Sequence, residues 1–440
     1  MSTRREGALL VVRRLRDRGF QAYWVGGCVR DLEMGQEPHD YDIATGARPE
    51  QVAGLFEHAV LVGAQFGVVI VSADGHSYEV ATFRAEGPYL DGRRPSSVDF
   101  VSAEEDVARR DFTINGLLHD PLTGTTLDYV GGREDIARRI VRTIGDPEER
   151  FAEDRLRMLR AVRLAAQLDF ELDPDTMVAI QRQAPALARV SAERIRDELL
   201  RLLTSPGRAR GLGLLDTSGL LEVVLPEVAA MHGVEQPPEF HPEGDVFTHT
   251  VLALEHLRDP SPELAMATLL HDVGKPPTFE RAPDRIRFNG HAEVGARLAA
   301  AIGRRLRLSG DQMTRVERLV ADHLRIKDLQ QMRPAKMQRF LLRPDAAEHL
   351  ELHRADCLAS HGSLDLYRWA AAQRAILLAH SPALPRLLTG DDLIAMGYRP
   401  GPRFATMLET IEDAQLEGTI RTREEAVALV QKEFPLTTDG

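Results

Sequence analysis

The sequence predicts an α+β fold: a small N-terminal α/β unit followed by a chain that is helical to its end. Up to about residue 135, short β-branched runs punctuated by Gly and Asp-Gly signal strands and turns. From about Arg138 onward apolar residues recur at the 3.6-residue helical period, as in Phe151, Met158, Leu159, Val162 and Ala166. The composition agrees, since 440 residues that are 43% apolar and 28% charged describe an ordinary globular chain of about three domains. The composition argues against disorder and against collagen-like or coiled-coil architecture for the bulk of it.

In chain order, residues 8–18 read as a short amphipathic helix and Ala22–Val25 as a strand running into Gly26-Gly27. Residues 60–62, 68–72 and 77–83 read as further strands, and 86–95, polar and turn-rich, as a mobile loop. Histidine is concentrated later: 11 of the 15 lie between His232 and His380, about a third of the chain, which marks a distinct chemistry there. Proline-rich joints at Pro237-Pro238 and at 382–385 fit the borders of that region.

The net charge of −12 confines any nucleic-acid contact to a local basic face and disfavours non-specific DNA coating. Only four of the 55 basic residues are Lys (Lys275, Lys327, Lys336 and Lys432), a bias spread along the whole chain that makes single arginines poor markers of a phosphate site. Cys28 and Cys357 are too few for a disulfide framework or a Cys-rich zinc site, so a reducing compartment is expected. No signal-like apolar run opens the chain, and none approaches the roughly 18 residues that span a membrane. The expected location is the cytoplasm, with no membrane and no DNA as partner.

Two constellations carry chemistry. In the first, Gly26-Gly27-Cys28-Val29-Arg30-Asp31 follows a strand and opens a helix, so the amides around Gly27 and the Arg30 side chain suit a triphosphate at a helix N-terminus. Asp40-Tyr41-Asp42 then places two carboxylates two apart on a strand, on one face. Paired carboxylates repel unless a cation lies between them, and Mg²⁺ held there activates a hydroxyl and neutralises a leaving pyrophosphate. A solvated strand edge is the plain alternative. Glu79 reads either as a third carboxylate of that sheet or as an ordinary exposed strand residue.

The second constellation is His249, then His271-Asp272-Val273-Gly274-Lys275 after the apolar run 264–270, then His291, His323 and Asp356. Adjacent His-Asp with a distant His and Asp supplies the mixed N/O ligand set of a first-row divalent metal such as Mn²⁺, Ni²⁺ or Co²⁺, with His291 and His323 available for a second ion. His232, His256, His349, His353, His361 and His380 read as packed or surface histidines, and Lys275 either as a charge at a bound phosphate or as a solvated helix-end residue.

The first constellation, continued by Arg109-Arg110-Asp111-Phe112-Thr113-Ile114-Asn115, Asp128-Tyr129-Val130-Gly131-Gly132 and Glu153-Asp154-Arg155-Leu156-Arg157-Met158-Leu159-Arg160, resembles the DNA polymerase β-like nucleotidyltransferases, specifically the bacterial class II tRNA nucleotidyltransferases (CCA-adding enzymes) and their poly(A) polymerase relatives. The second resembles the HD-domain phosphohydrolases fused to some of those enzymes. The resemblance implies a nucleotidyltransferase head at 1–137, a helical neck and body at 138–236, an HD domain at 237–362 and a helical, tRNA-contacting tail at 363–440. It implies catalytic, metal-binding Asp40 and Asp42, sugar and phosphate contacts from Arg110, Asp111 and Asn115, base selection by Asp154 and Arg157, and Arg160 in the same nucleotide site. At i and i+3, Asp154 and Arg157 are expected on one helix face, where one acceptor and one donor read both cytosine and adenine; an ordinary surface ion pair is the alternative.

In that family a charged loop at 86–95 is associated with switching from C to A addition. The implied function is template-independent addition of C and A, or of A alone, to the 3′ end of tRNA from CTP and ATP with Mg²⁺, beside an HD phosphohydrolase; because a 2′,3′-cyclic phosphate end blocks nucleotide addition, such an end is the expected substrate of the latter. A poly(A) polymerase, or an HD phosphohydrolase whose N-terminal unit merely binds nucleotide or RNA, remains the alternative.

Overall fold

The computed structural model describes residues 3–62, 67–86, 98–237, 241–380 and 386–436. Nearly all of the expected loop at 86–95, and the joint at 382–385, lie outside them. Contacts gather the chain into two compact units, residues 1–229 with 302–308 and residues 230–301 with 309–440.

The first unit opens with the helix Arg4–Arg16, whose N-cap Thr3 and Glu6 form a capping box. The strands β1 (Ala22–Val25), β2 (Asp42–Thr45), β3 (Ala59–Leu61), β4 (Val68–Ala73), β5 (His76–Thr82), β8 (Leu117–Asp120) and β9 (Thr125–Asp128) form one sheet in the order β3-β4-β5-β2-β1-β8-β9. The strands β6 (Arg84–Glu86) and β7 (Val98–Phe100) pair separately. All four residues of β1, an interior strand, are buried, which is why it reads as a continuous apolar run. Tyr23 and Val25 pack on one face with Phe83, Val107 and Leu118. On the other face Trp24 meets Tyr41 edge-on, and Tyr78 donates its hydroxyl hydrogen to the Arg4 carbonyl.

The helical remainder of this unit contains one unexpected break. The stripe from Phe151 to Ala166 is buried throughout, but it lies on two helices, Pro147–Glu153 and Leu156–Leu168. Asp154 adopts extended φ/ψ between them, and its side chain accepts from the Leu156 amide at 3.1 Å, as a cap does. The helical two thirds also hold two short β pairs, β10 (Ile140–Val141) with β11 (Glu171–Leu172) and β12 (Glu280–Arg281) with β13 (Ile286–Arg287).

In the second unit Val246–His256 packs on Ala346–Ala359, and Pro262–Leu270 on Gly310–Ala321. Pro262–Leu270 is capped by Ser261, starts on Pro and is buried from Leu264 to its end. Further on, Leu393, Tyr398, Met407, Ile411, Ala426 and Val430 form a core of their own. No helix among the described residues is long and apolar enough to cross a membrane, and both cysteines are free and buried.

Candidate active sites

The sheet brings the first constellation together at one end of β1 and β2. Gly26 has φ +74°, a conformation that favours glycine, and a Cβ there would lie 3.8 Å from Asp42 Oδ2 and 4.0 Å from an Arg110 guanidinium nitrogen. The turn thus sets the start of the helix Gly27–Glu33 against both groups. Asp42 begins β2, so Asp40 precedes the strand rather than lying on it; the alternation still holds, because Tyr41 between them is buried and both aspartates face outward. Parallel pairing of β2 with β5 sets Glu79 beside Asp42. Although Asp42 opens onto solvent, loss of surrounding water and then the Glu79 and Asp40 charges push its pKa up to about 6, against the pull of Arg110. This is the electrostatic signature of a site that favours an added cation. Asp40 is paired with Arg4 of the first helix.

The remaining head residues form ion-pair chains. Arg30 donates to Asn115 Oδ1 (2.9 Å), Asn115 to Asp111 Oδ1 (3.3 Å), and Arg160 to Asp111 Oδ2 (2.6 and 3.0 Å). Burial raises the Asp111 pKa, but Arg160 and the other donors outweigh it and hold the carboxyl below its usual range. Arg110 is anchored to buried Asp106 at 2.9 Å. The Asp128-x-x-Gly-Gly element has a structural part here. The Asp128 carboxylate accepts from the amides of Val130, Gly132 and Arg133, and a Cβ on Gly132 would lie 2.2 Å from the Thr113 carbonyl oxygen, so only glycine lets this helix approach the Asn115 segment.

Asp154 and Arg157 do not share a helix face, and the ordinary ion pair between them is not made. Asp154 accepts from both Arg194 terminal nitrogens (3.1 and 2.7 Å). Buried Arg157 donates to Glu153 (2.6 Å) and to the Arg109 carbonyl (3.3 Å). Sequence reasoning missed Arg4, Asp106 and Arg194, whose only signal was their charge, and gave Glu153, which heads the quoted motif, no role of its own.

The second constellation converges fully. His249 Nε2 lies 3.3 Å from His271 Nε2 and 3.1 Å from Asp356 Oδ1. Asp272 Oδ2 is 3.2 Å from His271 Nε2, while Oδ1 is 3.6 Å from His291 Nε2 and 3.9 Å from His323 Nε2. His291 and His323 face each other through Nε2 at 3.3 Å. Asp272 therefore belongs to two ligand groups, His249–His271–Asp272 and Asp272–His291–His323. The opposite ring nitrogens are anchored: Nδ1 of His271, His291 and His323 bonds the carbonyls of Thr268, Phe288 and Val320 at 2.7–2.8 Å. Such anchors fix the tautomer that turns Nε2 inward as a ligand. Gly274 makes the convergence possible, since a Cβ there would lie 2.1 Å from the His291 carbonyl oxygen.

Four residues surround this set. Glu243 Oε1 lies 2.7 Å from His249 Nδ1 and 2.9 Å from His241 Nδ1. Lys275, buried rather than solvated, donates to Asp272 Oδ2 (2.7 Å) and to Gln236 (2.6 Å). Burial opposes charge on His249, but Asp356, Glu243 and Asp272 prevail and raise its pKa to about 9, whereas burial, with His271 next, drives His323 down to about 3. The donor set fits divalent metal, because anchored imidazoles and carboxylates converge with their ligand atoms within 4.8 Å of one another in each group. His353 and His361 also line the cavity beside these ligands.

Comparisons with known proteins follow the same division. The chain matches the poly A polymerase head domain over residues 22–142, the probable RNA- and SrmB-binding site of polymerase A over 169–231, and the HD domain, a family of metal-dependent phosphohydrolases, over 246–360. It is 50% identical over 214 residues to the CCA-adding enzyme of Geobacillus stearothermophilus, which is 48% of this chain and 53% of that protein, so the match spans about half the length of that relative. To the Lactobacillus gasseri CCA-adding enzyme it is 32% identical over 429 residues, 96% of this chain and 95% of that one. The crystal structure of the Bacillus stearothermophilus CCA-adding enzyme in complex with CTP matches with TM-score 0.73 at 30% identity over 98% of both chains. A Thermotoga maritima CCA-adding enzyme complexed with tRNA shares the fold at TM-score 0.57 and 18% identity. The chain belongs to the CCA-adding enzymes, class II tRNA nucleotidyltransferases, and carries an HD domain.

Proposed function

We propose that the chain completes the 3′ end of tRNA with C and A from CTP and ATP, and that its HD domain is a metal-dependent phosphohydrolase. The first reading rests on likeness to a CCA-adding enzyme over 96% of the chain, joined to Asp42 beside the Gly26 turn with Glu79 and Asp40 close enough to act on it. The 3′-hydroxyl oxygen bonds to the α-phosphorus of the nucleotide, the α–β bridging P–O bond breaks, pyrophosphate leaves, and the hydroxyl proton passes to water. Mg²⁺ at Asp40 and Asp42 supplies charge neutralisation. Arg30 and Arg110 hold the phosphates, with Asp111, Asn115 and Arg160 fixing the sugar side. Asp154 accepts from the exocyclic amine and Arg157 donates to the ring nitrogen, an order that cytosine and adenine share and that uracil and guanine reverse.

In the HD domain, Mn²⁺, Ni²⁺ or Co²⁺ held by His249, His271, Asp272 and Asp356, with a second ion at His291 and His323, supplies Lewis acidity for a phosphate ester. The favoured substrate is a 2′,3′-cyclic phosphate. A water oxygen bonds to phosphorus, one ester P–O bond breaks, and the proton ends on the freed ribose hydroxyl. Lys275 stabilises charge at the phosphate. Residues 1–137 form the head, 138–236 the neck and body, 237–362 the HD domain and 363–440 a tRNA-contacting tail, in a cytoplasmic protein.

The test offers labelled CTP and ATP with three tRNA transcripts, ending before the first C, after one C and after both, and sequences the products. Completion of all three to CCA is expected. No incorporation overturns the reading, and repeated A addition to an RNA without the tRNA fold makes the chain a poly(A) polymerase.

A further inference from the structure

The HD ligands open onto a cavity of about 990 Å³. That is the upper end of the roughly 300–1,000 Å³ typical of small-molecule sites and more than a single phosphate needs. Its only lining carboxylates among the described residues are Asp272 and Asp356, both assigned to metal, while four cations line it: Lys275, Arg285, Arg287 and Lys327. Two are already partnered, Lys275 by Asp272 at 2.7 Å and Arg287 by Asp284 at 2.8 Å. Arg285 and Lys327 are in no ion pair within 4 Å of a described carboxylate, although Arg285 still acts on its neighbour Asp284 and Lys327 on Asp356 through their charges. They come from separate elements, the β12–β13 hairpin and the short 3-10 segment Arg325–Gln331 that follows His323. Lys327 is one of only four lysines in a chain whose cations are otherwise arginine, and it shares this cavity with another of the four. Between the two elements Phe288, Leu324 and Leu366 supply apolar lining. Cations free of a direct ion pair, beside an apolar wall and a metal-ligand cluster, match the phosphate, base and reacting phosphate of a nucleotide.

We propose that Arg285 and Lys327 form a subsite for a second phosphate, so that the HD cavity selects substrates with a phosphate on the 5′ side of the nucleotide whose ester is cleaved. This rests on the hydrolase reading above. An RNA end and a 5′-phosphorylated nucleotide share that chemistry. The experiment measures kcat/KM of the metal-loaded full chain on three substrates: adenosine 2′,3′-cyclic phosphate, the same compound bearing a 5′-phosphate, and the dinucleotide ApA ending in a 2′,3′-cyclic phosphate. At least one two-phosphate substrate should exceed the first by about tenfold or more, the effect of one or two charged hydrogen bonds. A gain for the dinucleotide alone assigns the subsite to RNA ends; a gain for both assigns it to the 5′-phosphate itself. Arg285→Ala/Lys327→Ala should bring the ratio close to one, whereas Arg285→Lys/Lys327→Arg should preserve most of it. Equal turnover of all three substrates, or a ratio unmoved by the alanine pair, overturns the subsite and leaves the hydrolase reading intact. No turnover of any substrate overturns the hydrolase reading and the subsite with it.

Discussion

The two acidic centres of this chain both hold a protein cation, but in opposite settings. In the head, Asp40 is paired with Arg4, and the side chains are 78% and 53% exposed. In the HD domain, Asp272 is held by Lys275 with both side chains under 10% exposed. An exposed pair is weak and exchanges readily. A buried one leaves an uncompensated charge when either partner is removed. The head carboxylate set is therefore open and its cation exchangeable, whereas the imidazoles of the HD cluster are held by backbone carbonyls around a buried ion pair.

The sharpest way to break this comparison is to remove a head carboxylate. Asp42→Ala, or Asp40→Ala, should cut nucleotide incorporation at least about a thousandfold, because charge stabilisation of the transferring phosphoryl group is worth several kcal/mol. Phosphohydrolase activity of the same preparation should persist. Incorporation near the wild-type rate for Asp42→Ala would remove it from the catalytic set.

Asp272→Ala deletes the one carboxylate shared by both HD ligand groups. Metal content after dialysis against Mn²⁺ or Ni²⁺, and phosphohydrolase turnover, should both fall to background while CCA addition continues. Turnover unaffected by this change would leave the domain as a structural or RNA-docking element. Glu243→Gln keeps an acceptor for His249 Nδ1 but loses the charge, and supporting residues of this kind typically cost about 10–100-fold in metal affinity. Calorimetric titration of the apo-protein reads this directly, and an unchanged affinity would make Glu243 a bystander.

The residues of both constellations were legible in the sequence, since carboxylate alternation and the His/Asp order are local patterns, and the fold sets Asp42 beside Glu79 and His249 beside His271 and Asp272. Their supports were not legible. Glu243 and Lys275 gained their parts only when the HD segments converged, a tertiary event that no local pattern encodes. Asp154 misled for a local reason: the apolar stripe runs across residues 151–166 without interruption, but Asp154 leaves helical φ/ψ and caps the next helix with its own side chain. A residue that favours caps over helix interiors was the available signal. Arg157, the second residue of the following helix, was placed correctly on that helix but turns toward Glu153 instead of Asp154.

Base selection tests that corrected geometry. Asp154→Ala and Arg157→Ala each remove one member of the acceptor–donor order, so incorporation of UTP and GTP relative to CTP and ATP should rise about tenfold, the discrimination carried by one polar contact. Four-nucleotide competition on a tRNA ending before the first C measures it. Ratios unchanged in both variants would remove these two side chains from base choice, whatever the overall rate.

The smallest effect belongs to Arg4. If the head exchanges its protein cation for metal, Arg4 competes with Mg²⁺ for Asp40, and Arg4→Ala should lower the half-saturating Mg²⁺ concentration for nucleotide incorporation. The shift should be only about two- to fivefold, because an exposed ion pair contributes at most about 1 kcal/mol. High salt should shrink it further by screening the pair in the wild-type protein. A Mg²⁺ requirement that rises in the variant would mean that Arg4 orients Asp40 for the metal instead of occupying its place, and the head would then be pre-organised in the same sense as the HD centre.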